Sequence, residues 1–119
     1  ESGVDWLSVA VGSVHGAISQ ASRDKKKVTA RVHIERLREL NKALDIPLVL
    51  HGGSGMAVSY LLDSFKEGIA KLNIGTDIRQ AYESNVKESI EAGQEAVYKR
   101  VLEIVEELQI GGSAQKLFG

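Results

Sequence analysis

Apolar and polar positions along the chain follow two alternating patterns, short apolar runs and longer stretches with helical spacing. The runs cover residues 6–11, 48–50 and 71–74. Each run passes into a polar segment that contains glycine, which is typical of a buried strand that ends at a loop. The pattern therefore predicts three short strands.

The stretches between and after these runs have apolar residues three or four positions apart, as on one face of a helix. The first covers residues 31–44 and ends before Pro47, because the residue preceding a proline avoids the helical conformation. The second begins at Val58 and ends near Gly68. Two further helices are predicted from apolar residues at Ile78, Tyr82, Val86 and Ile90, and from Val97 to Leu108. Residues 12–30 and 111–116 are expected to be irregular.

Strands that alternate with amphipathic helices indicate an α/β fold, in which helices cover a parallel sheet. Three parallel strands alone leave unpaired backbone groups at both edges of the sheet. A complete (β/α)8 TIM barrel needs about 250 residues, roughly twice what this chain supplies. We therefore predict the C-terminal part of such a barrel, with a small open α/β domain as the alternative.

Composition and charge narrow the possible partners and metal ligands. The 119 residues include 15 Lys and Arg against 16 Asp and Glu, a balance that argues against nucleic acid or an anionic membrane as the main partner. The absence of cysteine excludes disulfides and thiolate metal sites. No apolar run reaches the length of a membrane span, and no signal peptide is recognisable, so we expect a cytoplasmic protein. The chain starts at Glu1 rather than Met, from which we expect a longer polypeptide.

Two histidines follow neighbouring predicted strands and are candidate metal ligands. His15 and His51 are separated by about one βα unit. Adjacent strands lie about 4.8 Å apart, so two imidazoles at their ends can share one zinc ion. Two unrelated histidines at strand ends are the alternative. A catalytic zinc takes three protein ligands, and His33 is a weak third candidate because it begins a helix in a charged stretch.

Glycine-rich segments at the second and third strand ends are candidates for binding an anion. Residues 52–55 read Gly-Gly-Ser-Gly, and residues 73–76 read Asn-Ile-Gly-Thr. Glycines let backbone N–H groups approach an anion closely, and two such turns at adjacent strands resemble the phosphate site of a barrel. Ordinary turns are the alternative. Arg79 lies one helical turn beyond Thr76 and is either a surface residue or a contact to a second anionic group.

The order of these motifs resembles that of the class II, metal-dependent fructose-bisphosphate and tagatose-bisphosphate aldolases. The matching segments are GSVHG at 12–16, LHGGSG at 50–55, KLNIGTD at 71–77 and GSAQK at 112–116. The resemblance implies that residues 1–119 form the C-terminal part of a single TIM-barrel domain, with strands six to eight plus terminal helices, and that its N-terminal part is missing from this chain.

The family's activity is implied as well, for the complete chain. It would be zinc-dependent cleavage, and the reverse condensation, of a ketose 1,6-bisphosphate, fructose 1,6-bisphosphate above all. The products are dihydroxyacetone phosphate and glyceraldehyde 3-phosphate. The zinc ligands among the matched residues would be His15 and His51. The residues that would bind dihydroxyacetone phosphate are Gly16, Gly52, Gly53, Ser54, Asn73, Ile74, Gly75 and Thr76. Asn73 would also steady the enediolate, and Arg79 would reach the far phosphate across a subunit boundary of a homodimer or homotetramer.

Two departures from the family pattern are visible in the sequence. Nothing matches the family's third zinc histidine or its catalytic aspartate, so the 119-residue chain alone is predicted to be inactive. The segment 17–31 is longer and more basic than usual and lacks the common Pro-Lys-Leu element. The alternative function is therefore a non-catalytic, barrel-like partner subunit or a phosphate-binding remnant of a tagatose-bisphosphate aldolase system.

Overall fold

Three short strands form the centre of the fold. The computed structural model describes residues 3–12 and 31–118. The strands are β1 (Leu7–Val9), β2 (Leu48–Leu50) and β3 (Ile69–Leu72), and they pair in parallel in the order β1-β2-β3. The helices are α1 (Ile34–Ala43), α2 (Val58–Lys66), α3 (Thr76–Asn85), α4 (Ile90–Glu107) and α5 (Ser113–Phe118). The contacts divide this chain into two units between Thr76 and Asp77.

The core of the first unit surrounds the central strand. All three residues of β2 are buried, and Leu48 and Leu50 are inaccessible to solvent. A parallel strand covered on both faces is expected to be apolar at every position, which explains the continuous Leu-Val-Leu run. The other buried apolar residues of this unit are Val9, Val11, Val32, Leu37, Met56, Leu61 and Ile69. The sheet and its flanking helices therefore share one core.

Local signals set the ends of α1 and α2. His33 caps α1, and its Nδ1 accepts a hydrogen bond from the amide of Arg36. Beyond the last residue of α2, Gly68 has a φ of +100°, and a Cβ at that position would overlap the side chain of Asn41. Arg38 on α1 donates two hydrogen bonds to the carboxylate of Glu67, at 3.0 and 2.6 Å. These hydrogen bonds raise the pKa of Arg38 and lower the pKa of Glu67.

The second unit contains α4, α5 and most of α3. Ser89 caps α4, and its hydroxyl accepts a hydrogen bond from the amide of Ala92. Arg100 donates hydrogen bonds to Glu107, Glu103 and Asp77, which raise its pKa above the usual range. Although α4 has 18 residues, none of the described helices combines the length and apolar content that a membrane span requires.

The expected α/β fold with parallel strands is confirmed, but several predicted boundaries are wrong. The first strand is shorter than 6–11, and the first helix is shorter than 31–44. The third strand lies at Ile69–Leu72 rather than at 71–74, because Leu48 pairs with Ile69 and Ala70 forms a bulge before Lys71. Ile90 begins α4 rather than continuing α3, since Ser89 caps a new helix there. The tail predicted to be irregular contains α5.

Candidate functional site

His51 and Asn73 are the first residues beyond β2 and β3, at the same edge of the sheet. The pairing of Leu50 with Leu72 sets the two strand ends side by side. The amide of Asn73 then donates a 2.9 Å hydrogen bond to the carbonyl oxygen of Leu50. The bulge at Ala70 helps to produce this alignment, because it moves Leu72 opposite Leu50. The backbone thus places an imidazole beside a carboxamide.

The two side chains are in direct contact. Nδ2 of Asn73 lies 2.9 Å from Nε2 and 3.2 Å from Nδ1 of His51. Both residues are half-buried. One carboxamide nitrogen thus lies within 3.2 Å of both ring nitrogens, so Asn73 packs against the imidazole as a whole.

The glycine-rich turn after β2 packs tightly against the end of β3. Gly52 and Gly55 have φ angles of +71° and +83°, in the left-handed region that favours glycine. The amide of Gly53 donates to the carbonyl oxygen of Asn73 at 3.2 Å. A Cβ at Gly53 would lie 2.8 Å from Cδ1 of Leu72 and 3.0 Å from Cγ1 of Ile74, so a side chain there would force these two side chains to move. The turn is therefore held close to Asn73.

The remaining predicted anion-binding residues of the first unit differ in exposure. Ser54 is buried, with 7% of its surface exposed, whereas Gly75 is exposed and has no heavy atom within 4 Å of a Cβ built on it. Ile74 and Thr76 are half-buried, and Thr76 is the first residue of α3. Two turns at neighbouring strand ends are the arrangement by which barrels bind phosphate, with backbone N–H groups as donors.

Other residues predicted for the site lie elsewhere or outside the described residues. His15 and Gly16 belong to the segment 13–30, which lies outside the described residues. His33, the weak third candidate for a metal ligand, is an exposed helix cap with Nδ1 3.6 Å from the carboxylate of Glu35. Arg79 is exposed in the second unit, where it forms a 2.7 Å ion pair with Glu83.

His51 gives the candidate site a donor that suits zinc. In residues 3–12 and 31–118, no three His, Asp or Glu side chains converge to form a metal site. His51 nevertheless has the right chemistry, because neutral imidazole is a common zinc ligand and Asn73 can orient its ring. The residues present therefore fit a partial zinc site that needs ligands beyond those described.

Sequence reasoning singled out His51 and Asn73 separately but missed their contact. The resemblance assigns Asn73 to substrate binding and His51 to zinc binding, with no contact between them. The signal that could have found the contact is positional, since His51 directly follows the run 48–50 and Asn73 lies near the end of the run 71–74. Strand register decides whether such residues meet, and the bulge at Ala70 was not visible in the apolar pattern.

Comparison with known proteins gives one consistent family. The family described as fructose-bisphosphate aldolase class-II matches residues 1–113. The YdjI aldolase from Escherichia coli K12 is similar in structure, with a TM-score of 0.75 and 30% sequence identity over 95% of this chain. The fructose-bisphosphate aldolase from Campylobacter jejuni is similar in fold, with a TM-score of 0.64 and 22% identity over 86% of this chain.

These similarities cover only part of each known structure. The chain matches 42% of the Escherichia coli protein and 38% of the Campylobacter jejuni protein. It therefore spans about two fifths of the length of these structures. Together with the three parallel strands, this coverage agrees with the expectation of a partial (β/α)8 barrel.

Proposed function

Because the chain belongs to the class II fructose-bisphosphate aldolase family, we propose that the protein cleaves and forms the carbon–carbon bond of a ketose 1,6-bisphosphate. The substrate we propose is fructose 1,6-bisphosphate, and the products are dihydroxyacetone phosphate and glyceraldehyde 3-phosphate. One observation supports this most directly: His51 and Asn73 touch at the ends of adjacent parallel strands, beside a tight glycine turn. Active sites of (β/α)8 barrels lie at this end of the strands.

In this proposal His15 and His51 are two zinc ligands of the complete site. Zinc, when bound, supplies a Lewis acid that stabilises the negative charge developing as the C3–C4 bond breaks. His51 holds its ring at the end of β2, where the neighbouring strand brings Asn73 against it. A lysine imine is not required for this type of cleavage.

The glycine turn and its neighbour have the proposed role of holding dihydroxyacetone phosphate. Gly52 and Ser54 supply backbone N–H groups at the end of β2, and the Ser54 hydroxyl adds another polar group in a buried position. Gly53 lines the same turn, and its own N–H keeps the turn close to β3 by donating to Asn73. Ile74, Gly75 and Thr76 supply backbone N–H groups at the end of β3, and Gly16 contributes from the segment outside the described residues. Exposed Gly75 leaves the substrate's phosphate room to approach.

Asn73 has a proposed catalytic role towards the substrate. Its carboxamide donates a hydrogen bond to the oxygen that gains negative charge during cleavage. A preorganised donor in a partly buried site stabilises such charge more effectively than water does. Asn73 is half-buried, and its backbone forms hydrogen bonds with Leu50 and with Gly53, so its position is well defined.

The assembly and the second phosphate site are also proposals. Arg79 would bind the far phosphate of the ketose bisphosphate across a subunit boundary, which requires a homodimer or homotetramer. Its guanidinium is exposed and forms an ion pair with Glu83, an exposed residue on the same helix. Exposed ion pairs of this kind contribute little stability, so replacing Glu83 by a phosphate as the partner of Arg79 costs little. We propose a cytoplasmic protein in which residues 1–119 belong to one barrel domain.

The test is turnover, with each candidate sugar, by the complete protein to which residues 1–119 belong. Purified protein is assayed with fructose 1,6-bisphosphate and with tagatose 1,6-bisphosphate, before and after treatment with a chelator and after zinc is restored. The proposal predicts cleavage that the chelator abolishes and zinc restores. Binding of dihydroxyacetone phosphate without any cleavage, with and without zinc, would instead support the non-catalytic partner or remnant. Preference for the tagatose sugar would correct the substrate but not the reaction.

A further inference from the structure

We infer that Arg100 is a positioning residue for the proposed phosphate site, because its guanidinium pairs with Asp77, the residue that directly follows Thr76. This inference rests on the proposed function, in which Thr76 helps to bind the phosphate of dihydroxyacetone phosphate. Asp77 carries a negative charge that would repel the phosphate, and Arg100 offsets that charge. The distance from Nη2 of Arg100 to Oδ2 of Asp77 is 3.3 Å.

The carboxylate of Asp77 lies close to any phosphate that Thr76 binds. Thr76 and Asp77 share the first turn of α3, and consecutive Cα atoms are about 3.8 Å apart. A phosphate hydrogen-bonded to Thr76 is therefore within about 10 Å of that carboxylate, which is close to the screening length of physiological salt. Two negative charges at this separation repel each other, so an Asp77 without a cationic partner would weaken phosphate binding.

Two further carboxylates hold the guanidinium of Arg100 in place. Its Nη1 donates to Glu103 at 2.9 Å and to Glu107 at 3.0 Å, while Nη2 donates to Asp77. The side chains of Glu103 and Glu107 are 60% and 40% exposed, whereas those of Arg100 and Asp77 are each 26% exposed. Solvent therefore screens the pair of Arg100 with Asp77 less than the other two pairs. Asp77 combines this low exposure with its place next to Thr76, so its charge matters most to the phosphate.

Close packing of α3 against α4 keeps Asp77 within reach of Arg100. Gly93 of α4 lies against Tyr82 of α3, where an added Cβ would be 2.8 Å from Cε2 of the ring. Asp77 precedes Tyr82 along α3, and Arg100 follows Gly93 along α4. The glycine contact and the ion pair thus connect the same two helices at two different levels, and together they fix the ion pair beside the start of α3.

Two substitutions in the complete protein break the same ion pair but leave opposite charges. Arg100→Met leaves the Asp77 carboxylate without its cationic partner, whereas Asp77→Asn removes the negative charge itself. Calorimetry with dihydroxyacetone phosphate measures the dissociation constant of each variant, and circular dichroism checks its folding. Lys99→Met is the matched control, since Lys99 is the preceding residue of α4, carries the same charge and pairs with Glu95 at 3.5 Å.

The expected result separates an effect of charge from structural support. Arg100→Met should raise the dissociation constant of dihydroxyacetone phosphate by roughly 3- to 10-fold, as loss of a partly screened charge pair predicts. Asp77→Asn should bind at least as tightly as the wild type, and the double variant Arg100→Met/Asp77→Asn should recover most of the lost affinity. Lys99→Met should resemble the wild type.

Equal weakening by the two single substitutions would overturn the inference, because the ion pair would then only support the helices. If Arg100→Met does not fold, folded Asp77→Asn decides: weaker binding overturns the inference, and binding at least as tight as that of the wild type supports it. If the expected pattern appears in a protein that cleaves no sugar bisphosphate, the positioning role stands and the proposed cleavage fails. If the wild type cleaves the sugar and Arg100→Met binds dihydroxyacetone phosphate normally, the proposed function stands and the inference fails.

Discussion

The amide of Gly53 donates a 3.2 Å hydrogen bond to the carbonyl oxygen of Asn73, so the turn after β2 is bonded to the residue that ends β3. Through this bond and the contact between the His51 and Asn73 side chains, the glycine turn, His51 and Asn73 stabilise one another's positions. The site therefore depends on the close approach of two backbone segments. Substitutions that separate these segments should damage the site and the fold together.

Replacement of Gly53 by alanine is expected to destabilise the protein and weaken phosphate binding. The added Cβ would lie 2.8 Å from Cδ1 of Leu72, so the side chains of Leu72 and Ile74 must repack at the end of β3. Overpacking of this kind costs about 1–3 kcal/mol. Urea denaturation measures the loss of stability, and calorimetry with dihydroxyacetone phosphate measures the loss of affinity.

Gly75→Ala is the matched control for the stability measurement. A Cβ at Gly75 meets no heavy atom within 4 Å, so the free energy of unfolding should change by less than about 0.5 kcal/mol. Equal destabilisation by the two substitutions would contradict the tight packing described for Gly53.

Leu48→Ala should strongly destabilise the sheet. Leu48 is inaccessible to solvent in the central strand, and truncation of such a leucine costs about 2–5 kcal/mol through lost burial and the cavity left behind. Leu102→Ala is the control, because 46% of Leu102 is exposed. Urea denaturation of both variants should show a large effect only for Leu48. A smaller effect for Leu48 than for Leu102 would contradict the core assignment.

The ion pair between Arg38 and Glu67 should make stability depend on pH. The hydrogen bond from Arg38 lowers the pKa of Glu67 in the folded state, so the pair contributes stability above the unfolded pKa of Glu67. That contribution is lost as the pH falls through the lowered, folded pKa. The difference in unfolding free energy between the wild type and Glu67→Gln should therefore be largest near neutral pH and disappear in acid.

A double-mutant cycle with Arg38→Met checks that this pH dependence belongs to the pair. In the Arg38→Met background, Glu67→Gln should no longer change how stability varies with pH. If the unfolding free energies of the wild type and Glu67→Gln differ by the same amount at neutral and at acid pH, the ion pair does not make stability depend on pH.

Ser89→Ala is predicted to weaken the start of α4. The Ser89 hydroxyl accepts a 3.0 Å hydrogen bond from the amide of Ala92, and loss of such a cap costs about 1 kcal/mol. Hydrogen exchange should show faster exchange of the Ala92 amide. Ser89→Asp keeps a cap acceptor and should restore most of the protection, whereas Ser59→Ala, at an exposed position of α2, should have little effect. Unchanged exchange at Ala92 in Ser89→Ala would contradict the cap.

The strands and helices of the first unit could be predicted because burial imposes a visible pattern. Leu48, Val49 and Leu50 are apolar because both faces of β2 are covered, and Pro47 marks the preceding break. The boundary between α3 and α4 was harder, since Ile90 continues the four-residue spacing of Val86. The cap at Ser89 overrides that spacing, because it satisfies the first amides of a new helix. The six-residue helix α5 is too short for periodicity to reveal it.

The sequence identifies the individual residues of the candidate site but not the distances between them. Glycines and polar residues at the ends of the predicted strands mark His51, Gly53 and Asn73, because strand ends are where such residues can face a ligand. Their mutual distances depend on register, and the bulge at Ala70 changes the register by one residue. The roles of these residues towards zinc and phosphate, and those of His15 and Gly16, stay predictions.

The measurement that tests the central claim most directly compares two histidine variants of the complete protein for zinc content and aldol cleavage. His51→Ala removes the imidazole beside Asn73, whereas His33→Asn removes an exposed imidazole and keeps a helix-cap acceptor. The account predicts that His51→Ala folds but loses bound zinc and cleavage of fructose 1,6-bisphosphate, while His33→Asn keeps both. Wild-type zinc content and turnover in folded His51→Ala would contradict the account.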